Sequence, residues 1–340
     1  MAQNHLFGEN CVHQENSKGE VYLSGSFQGR IFCRLDGEIV HRFDAELAAN
    51  PSKFYVNNIG GNSFWPAPEG GDYGFNYDAS GNWIVQEDIN RKQTELDVVN
   101  GRLTSWKTAH LRNRHGAELD VEISRQVELI ECSCRIPTVS SIGYHSVDEM
   151  VFDQGYSTDD VLLNGWSLEQ LPGHEGVVAF GVIDGNSRDA INSDFYNNPE
   201  PCLTYSYNHF EFDLSSREWM QIGIKQLSQP RLIGALDTKR GFLIVRMTPI
   251  RTCGLYVNIA DNPQPDGPFS TADMYSIFNG GEMNLYELDT IAPMTIRKGL
   301  GVGSKLESWS YIYHGSVPDL CQVLIQEYGI ELLTVKPYIV

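Results

Sequence analysis

Apolar and polar residues alternate along residues 117–136, and this run constrains the fold more than any other stretch of the chain. The first apolar positions in it are Leu119, Val121, Ile123, Val127 and Leu129. A period of two places every second side chain on the same face of an extended strand. From Ile130 to Ile136 the apolar residues move to even positions, which predicts a β-bulge within one long strand.

Short strand-like runs separated by glycine-rich turns fill most of the remaining chain. The other predicted strands are 20–23, 30–35, 38–43, 160–168, 176–183, 219–225, 231–236, 241–247, 255–260, 283–290, 294–297 and 306–313. One helix is predicted at 318–328, because Pro318 stands near its start and Gly329 follows its end. Many strands and little helix predict an all-β protein with two large packed antiparallel sheets.

The net charge of −19, from 25 basic and 44 acidic residues, restricts the possible partners. Such a chain repels nucleic-acid phosphates and anionic lipid headgroups, so we expect neither nucleic acid nor a membrane as a partner. Residues 1–10 lack the basic and apolar regions of a signal peptide, which favours a cytoplasmic protein. A periplasmic or secreted protein is the alternative if a leader was removed. The oligomeric state is not indicated.

Neither a cofactor nor a metal is expected from the motifs. The chain has no P-loop, dinucleotide fingerprint or HExxH sequence, and its seven cysteines form no CxxC pair. We interpret them as reduced thiols, with Cys132 and Cys134 as core residues on one face of a strand. The oxygen-rich run 261–267 lacks EF-hand spacing and is interpreted as a proline-rich loop. The basic run 110–115 is interpreted as part of a hairpin with its tip at 113–116.

Residues 60–74 have the composition of a binding loop. Five glycines surround Trp65, two prolines and Glu69 in a segment that looks too broken for a helix or a long strand. Glycine permits close backbone approach, and an indole beside a carboxylate combines an apolar face with a hydrogen-bond acceptor. This combination suits a sugar ring, although an ordinary turn-rich connection explains the composition equally well.

Several segments resemble a branch of the galactose-mutarotase-like (aldose 1-epimerase) superfamily. They are 60–74, 163–173, 220–225, 275–281 and 285–293, and the resemblance covers about residues 20–315. It implies a β-supersandwich, the fold of aldose 1-epimerases and of domains in several carbohydrate hydrolases and lyases. We expect one such domain over 1–340, since no linker or repeat divides the chain. One fold hosts many reactions, so the resemblance bears on the fold more than on the chemistry.

The resemblance also implies catalytic residues. Glu287 matches the place where these epimerases keep the glutamate that acts as general base on the anomeric hydroxyl. The histidine that serves as their general acid has no counterpart, because the comparable position here is Gly165, within 164–167. Lys225 matches a lysine of the branch and is a candidate acid or carboxylate binder. His145, His174 and His209 are other candidates, each expected in a turn-rich segment at the surface.

Five further residues are candidates for substrate binding. Trp65 and Trp166 offer aromatic faces for a pyranose ring, and Gln170 and Asn279 offer donors and acceptors for hydroxyls. Glu69 is a second carboxylate, which together with Glu287 would suit glycoside hydrolysis at a suitable separation.

Two classes of function therefore stay open. One is an enzyme that epimerises an aldose or cleaves a glycosidic bond through Glu287. The other is a non-catalytic carbohydrate-binding protein that has lost the catalytic acid. The sugar, the stereochemistry and the reaction type are not indicated by the sequence.

Overall fold

The computed structural model of the protein describes residues 6–52 and 55–335. In chain order, its strands are β1 (Cys11–Glu15), β2 (Gly19–Ser24), β3 (Arg30–Leu35), β4 (Glu38–Ile39), β5 (Gly61–Ala67), β6 (Glu95–Val99), β7 (Arg102–Arg112), β8 (Glu118–Ile130), β9 (Ser140–Tyr156), β10 (Asn164–Pro172), β11 (Val177–Ile183), β12 (Ile191–Asn192), β13 (Leu203–Tyr205), β14 (His209–Asp213), β15 (Met220–Lys225), β16 (Pro230–Asp237), β17 (Phe242–Met247), β18 (Asp273–Asn279), β19 (Leu285–Ala292), β20 (Met294–Arg297) and β21 (Leu300–His314). The helices are short: α1 (Ala45–Ala49), α2 (Glu87–Asn90), α3 (Ser187–Ala190) and α4 (Val317–Val323).

Within the described residues, the strands form two antiparallel sheets. The first sheet has ten strands in the order β1-β2-β3-β5-β10-β19-β18-β15-β12, with β4 beside β3. The second has eleven, in the order β13-β14-β11-β16-β17-β21-β9-β8-β7-β6, with β20 beside β21. The predicted all-β supersandwich, with two large packed antiparallel sheets and little helix, is confirmed.

Two arginines of the second sheet reach across the sandwich and hold the central strands of the first. Arg246 on β17 contacts the Glu169 carboxylate at 2.6 Å and donates to the Leu288 carbonyl at 2.5 Å. Arg125 on β8 pairs with Asp148 at 2.8 Å and donates to the Asn62 carbonyl at 2.8 Å. Buried charges are tolerated when they are paired and fully hydrogen-bonded, as these are. The network therefore fixes β5, β10 and β19 from the inner face of their sheet.

The alternation in β10 and β19 sorts their side chains between two faces. The Glu169 side chain points inward, because it contacts Arg246 of the second sheet, and Leu288 lies opposite it in the register and so shares its face. Their neighbours Gln170 and Glu287 therefore point away from the second sheet. We call this second side the outer face of the first sheet. Its side chains are nonetheless buried, because loops cover them.

Several details of the predicted strands are wrong. Only Glu38–Ile39 of the predicted strand 38–43 is a strand, and β10 begins at Asn164 rather than at residue 160. Strand β8 ends at Ile130, and residues 131–139 form a connection before β9 rather than the far side of a bulge. Cys132 and Cys134 therefore lie outside a strand, half-buried, but they still pack against apolar core residues. Residues 255–260 make only an isolated bridge, between Leu255 and Met294. Their backbone groups bond instead to loop and side-chain partners, such as the Asn164 amide oxygen that accepts from Val257.

The first half of the predicted loop 60–74 is a strand. Residues Gly61–Ala67 form β5, which pairs with β10 along its length but with β3 only at Ile31 and Asn62. The rest of β5 is therefore an edge on that side, where Pro66 needs no ladder donor. Only 68–74 form the loop.

Two other local predictions agree with the structure. The run 110–115 joins β7 to β8 across a turn at 113–117, as the hairpin interpretation expects. The helix near the C-terminus is present as α4 with a π-helical turn, Leu324–Tyr328, and Gly329 ends it with φ of 71°. All seven cysteines are free thiols.

Candidate active site

Strands β10 and β19 place two pairs of polar side chains side by side on the outer face. Gln170 lies opposite Glu287 in the register, and its amide donates to the Glu287 carboxylate at 2.6 Å. Asp289 follows two residues after Glu287 and is fully buried. Trp166, on β10, has its indole nitrogen close to Asp289. Glu287 itself is 7% exposed.

The loop after β5 brings another carboxylate over this floor. Glu69 is 6% exposed and lies near enough to Asp261, Glu287 and Asp289 for their charges to affect it. A backbone hydrogen bond from Gly70 to the Ala260 carbonyl, at 3.2 Å, joins the two covering segments. The Tyr77 hydroxyl then donates to Asp261 at 2.7 Å. These contacts assemble a cluster of four acidic side chains, Glu69, Asp261, Glu287 and Asp289, which we call the carboxyl cluster.

Glycine is required at position 70 by the closeness of these segments. A Cβ atom there would lie 1.8 Å from the Asn262 carbonyl oxygen, a distance that forces the backbone to move. Gly70 therefore lets the chain on either side of Glu69 approach the segment that carries Asp261.

Aromatic side chains surround the carboxyl cluster. Tyr196 is near enough to Glu69 and Glu287 for their charges to act on it, and its ring packs against Phe278 and Trp219, each with centroids 6.2 Å apart. Trp83 lies beside Glu69. Trp83 is 43% exposed and Trp219 is 48% exposed, so both indoles present apolar surface to solvent next to buried acids.

Burial sets the protonation of the cluster. It raises the pKa of Glu287 to about 7, against the opposing effects of the Gln170 hydrogen bond and of the Arg30 and Arg42 charges. Burial also raises the pKa of Glu69 well above its usual range, and the negative charges of Asp261 and Glu287 add to this shift. The pKa of Asp289 is likewise well raised, first by burial and then by Glu287. Near neutral pH the cluster therefore retains protons that exposed carboxylates would have lost.

Several polar atoms of the outer face have no hydrogen-bond partner within residues 6–52 and 55–335. They are Ser63 Oγ, Trp166 Nε1, Gln170 Oε1 and both carboxylate oxygens of Asp289. Buried polar atoms are normally paired, because leaving one unpaired costs about 1–3 kcal/mol. They are concentrated around the carboxyl cluster, which makes this group of side chains the candidate ligand site.

Of the other predicted site residues, Lys225 and Asn279 bond to groups outside the carboxyl cluster, whereas Trp65 lies beside Trp166. Lys225 donates to the Asp189 carbonyl at 3.2 Å. Gln221 lies at the level of Glu287, because it pairs with Phe278, which pairs in turn with Glu287. Lys225 is four residues further along β15 than Gln221. Asn279 donates to the Ser216 carbonyl at 3.0 Å and belongs to the opposite face of its strand from Phe278. Trp65 pairs with Trp166 in the register, and its side chain is half-buried. The structure thus brings together Glu287, Gln170, Glu69 and Trp166, with Trp65 beside them, and does not bring Lys225 or Asn279 to Glu287.

The three histidines each face a different acid. His145 lies within β9 and contacts Glu307 at 3.1 Å, and His209 begins β14 and lies 3.7 Å from Glu211. The expectation of turn-rich surface segments is wrong for both, because each falls on a paired strand. His174, in a loop after β10, contacts Asp237 at 2.9 Å. None of these three acids belongs to the carboxyl cluster.

The sequence reasoning missed Asp261, Asp289, Tyr77 and Tyr196. A signal existed for one of them, because Asp289 stands two residues after Glu287 on a predicted strand and so shares its face. Asp261 reaches the cluster through loop contacts that no local pattern indicates. Among the described residues, no group of three His, Cys, Asp or Glu side chains has an arrangement suited to a metal ion.

Several cavities bordered by described residues lie outside the carboxyl cluster. One, of about 600 Å³, is bordered by Phe27, Phe43 and α1, and its described lining holds no carboxylate and no histidine. Another, of about 290 Å³, lies between Gly70–Tyr73 and residues 263–268, with Arg114 in its wall. The second half of segment 60–74 thus contributes to a cleft as well as carrying Glu69.

The fold and this site together define an all-β sandwich protein with a buried group of carboxyl and aromatic side chains. The chain belongs to the family of unknown function DUF6786, whose model matches residues 8–339. No curated protein sequence matches it.

Two solved structures are among those similar to this chain. A protein titled "Putative aldose 1-epimerase" from Escherichia coli K12 is 10% identical, with a TM-score of 0.45 over 90% of this chain and 99% of that one. The 4-alpha-glucanotransferase from Thermococcus litoralis is 8% identical, with a TM-score of 0.35 over 90% of this chain and 37% of that one. Among the described residues, no helix has the length and apolar character needed to cross a membrane.

Proposed function

We propose that this protein is a carbohydrate-active enzyme that interconverts the anomers of a free sugar, with Glu287 as general base and Glu69 as general acid. The observation that carries the proposal is the presence of both carboxyl groups in one buried cluster, where burial raises the pKa of Glu287 to about 7 and that of Glu69 well above its usual range. Environments that give neighbouring carboxyl groups different pKa values are how enzymes obtain an acid and a base from the same functional group. A pKa of about 7 suits a base that works near neutral pH.

In the proposed reaction, Glu287 takes the proton of the anomeric hydroxyl while Glu69 gives its proton to the ring oxygen. The bond between the anomeric carbon and the ring oxygen breaks, and the anomeric carbon becomes an aldehyde. Rotation of this carbon and the reverse proton transfers close the ring on the other face. Glu69 replaces the histidine that is missing from the resemblance, since burial keeps its proton available.

The aromatic surroundings support a sugar as the substrate. The exposed indoles of Trp83 and Trp219 stand at the margin of the cluster, where aromatic faces pack against the apolar side of a pyranose. The unpartnered Gln170 and Asp289 oxygens would accept hydrogen bonds from sugar hydroxyls. We leave Lys225 outside the proposed machinery, because its amine is held by the Asp189 carbonyl.

Anomeric exchange measured by NMR tests the proposal. Wild-type protein and Glu287→Gln are compared on a panel of free aldoses, amino sugars and uronic acids. We expect the wild type to speed exchange of at least one sugar and the variant to lose about 10²–10⁴-fold of that rate, the usual contribution of a general base. Glu128→Gln is the matched control, because Glu128 is an exposed partner of Arg102.

Three results would contradict the proposed reaction. Glu287-dependent cleavage of aryl glycosides without anomeric exchange would indicate glycoside hydrolysis. Sugar binding without any turnover would indicate the alternative, a carbohydrate-binding protein without catalysis. Equal exchange rates for wild type and Glu287→Gln would remove Glu287 from the mechanism.

A further inference from the structure

No acid of the carboxyl cluster is paired directly with a described positive charge. None of the four makes a salt bridge with another described residue, although Arg30 and Arg42 are near enough for their charges to oppose the rise in the pKa of Glu287. The Arg30 guanidinium donates to the Gly60 carbonyl at 2.7 Å, and that of Arg42 donates to the Asn58 carbonyl at 2.6 Å. Both arginines are therefore engaged with backbone groups.

Three of the unpartnered atoms around the cluster are hydrogen-bond acceptors, and Trp166 Nε1 and Arg30 Nε are donors. Gln170 gives its amide N–H to Glu287 and keeps Oε1 free, whereas the Trp166 indole and Ser276 lie near Asp289 without a hydrogen bond of normal geometry to its oxygens. Gln170 is 5% exposed and Asp289 is fully buried. A ligand that completes this site has to donate hydrogen bonds, and it gains most if it also brings positive charge.

We propose that the substrate of this site carries a protonated amine, and that its class is therefore an amino sugar. An ammonium group has three donors and no acceptor, which complements the free oxygens of Gln170 and Asp289. Its charge offsets the negative charge that the cluster acquires when it ionises. A uronic acid or a sugar phosphate would bring another negative charge into the same buried space. This inference rests on the proposed function for the assignment of the ligand as a sugar.

Proton release accompanies binding in this scheme. The titratable groups near Glu287 are the acids Glu69, Asp261 and Asp289, the phenol Tyr196 and the cations Arg30 and Arg42, and the Tyr77 hydroxyl bonds to Asp261. In the free protein the acids hold protons because ionisation in a buried acidic cluster is unfavourable. An ammonium group among them favours the ionised form, so protons leave as the ligand binds.

Calorimetric titration with matched sugars tests the inference. The probes are glucosamine, glucose and glucuronate, together with galactosamine, galactose and galacturonate. Each is titrated at about pH 6.5, below the usual range for amines, in two buffers of different ionisation enthalpy. We expect at least one amino sugar to bind about tenfold or more tightly than its neutral counterpart, with net proton release, and its uronate to bind most weakly.

Two variants identify the residues responsible. Asp289→Asn and Glu69→Gln each keep the shape of the side chain and remove a carboxylate, and either one is expected to reduce the preference for the amine. The exposed variant Glu128→Gln should retain it. Circular dichroism establishes that each variant is folded, and the second variant serves if the first is not.

The outcomes separate this inference from the proposed reaction. Amine preference without Glu287-dependent anomeric exchange would support the inference and overturn the reaction. Exchange of neutral sugars with no preference for the amine would support the reaction and overturn the inference. Failure of all six sugars to bind, or tightest binding of a uronate, would also overturn the inference.

Discussion

Gln170 adjusts the protonation of Glu287 through a single hydrogen bond. The bond, 2.6 Å long, favours the ionised carboxylate and so opposes the rise in pKa that burial causes. Gln170→Ala removes it, and the pKa of Glu287 should then rise above about 7. Because the base must be ionised to act, we expect the rising limb of the pH–rate profile to move to higher pH by about one unit.

The pH dependence of kcat/KM for the preferred sugar measures this shift. Gln154→Ala is a suitable control, since Gln154 is exposed on β9 and bonds only weakly to Tyr156, at 3.4 Å. A profile that keeps its midpoint in Gln170→Ala would show that Gln170 does not tune the base.

At the scale of single residues, the sequence could predict those parts of the site that lie on strands. Glu287 and Gln170 come from different strands, and their face follows from alternation once the strands are placed. Glu69 could be singled out by its glycine-rich surroundings. Asp261 could not, because its position depends on how two irregular segments pack, as in the bond from Gly70 to the Ala260 carbonyl. Raised pKa values depend on burial and on neighbours distant in sequence, so they too require the fold.

The segment that carries Glu69 depends on one close backbone approach. In Gly70→Ala the added methyl group would meet the Asn262 carbonyl at 1.8 Å, so the loop has to move away from the segment with Asp261. A displacement of about 1 Å at a catalytic group costs about 10²-fold in rate. We expect Gly70→Ala to lose activity on this order while the protein stays folded, because the change lies in a covering loop.

Steady-state kinetics together with thermal unfolding check this expectation. Gly101→Ala is the comparison, because Gly101 has a φ of 81° in the β6–β7 turn and nothing within 4 Å of an added Cβ. That variant should lose some stability through backbone strain and keep its activity. Full activity in Gly70→Ala would show that the loop tolerates displacement.

At the scale of elements, local patterns identified twelve of the 21 described strands and missed nine, among them β5, β7, β9 and β18. Alternation identifies β8 because its exposed and buried positions follow one another strictly. The same reasoning wrongly extended β8 through 131–136. The connection there packs on the core, so its apolar residues also alternate with polar ones. Strand β5 was missed because glycine and proline weaken a strand locally, whereas here pairing with β10 outweighs local preference.

At the scale of the whole molecule, the second sheet supports the strands of the first sheet that carry the site. Arg125 and Arg246 fasten β5, β10 and β19 by buried contacts to the second sheet, so the strands below the carboxyl cluster are fixed before any ligand binds. Such support gives a catalytic group a defined position. The sequence could not predict this network, because its members come from distant strands and its charges look like surface residues until the sheets are paired.

The carboxyl cluster should also make the stability of the whole protein depend on pH. Burial raises the pKa of Glu287 from 4.5 to about 7, so the folded state holds a proton that the unfolded chain has already lost in that interval. Stability from this group is therefore complete below about pH 4.5 and is lost as the pH rises through about 7. Lys107 has the opposite effect at higher pH, since burial lowers its pKa from 10.5 to about 7 and stability from this group rises above that value.

Comparison of Glu287→Gln with the wild type isolates the contribution of the glutamate. The amide resembles the protonated acid, so the two proteins should have similar free energies of unfolding near pH 5. Near pH 8 the variant should be more stable by up to about 3 kcal/mol, because it has no charge to bury. Urea unfolding at both values measures the difference, and Glu128→Gln should show no such change with pH.

A variant that is no more stable than the wild type near pH 8 would mean that Glu287 ionises without cost, which would remove the basis for its role as a base tuned by burial. Gain of stability together with loss of activity would show that the fold tolerates a costly buried carboxylate because the reaction requires it.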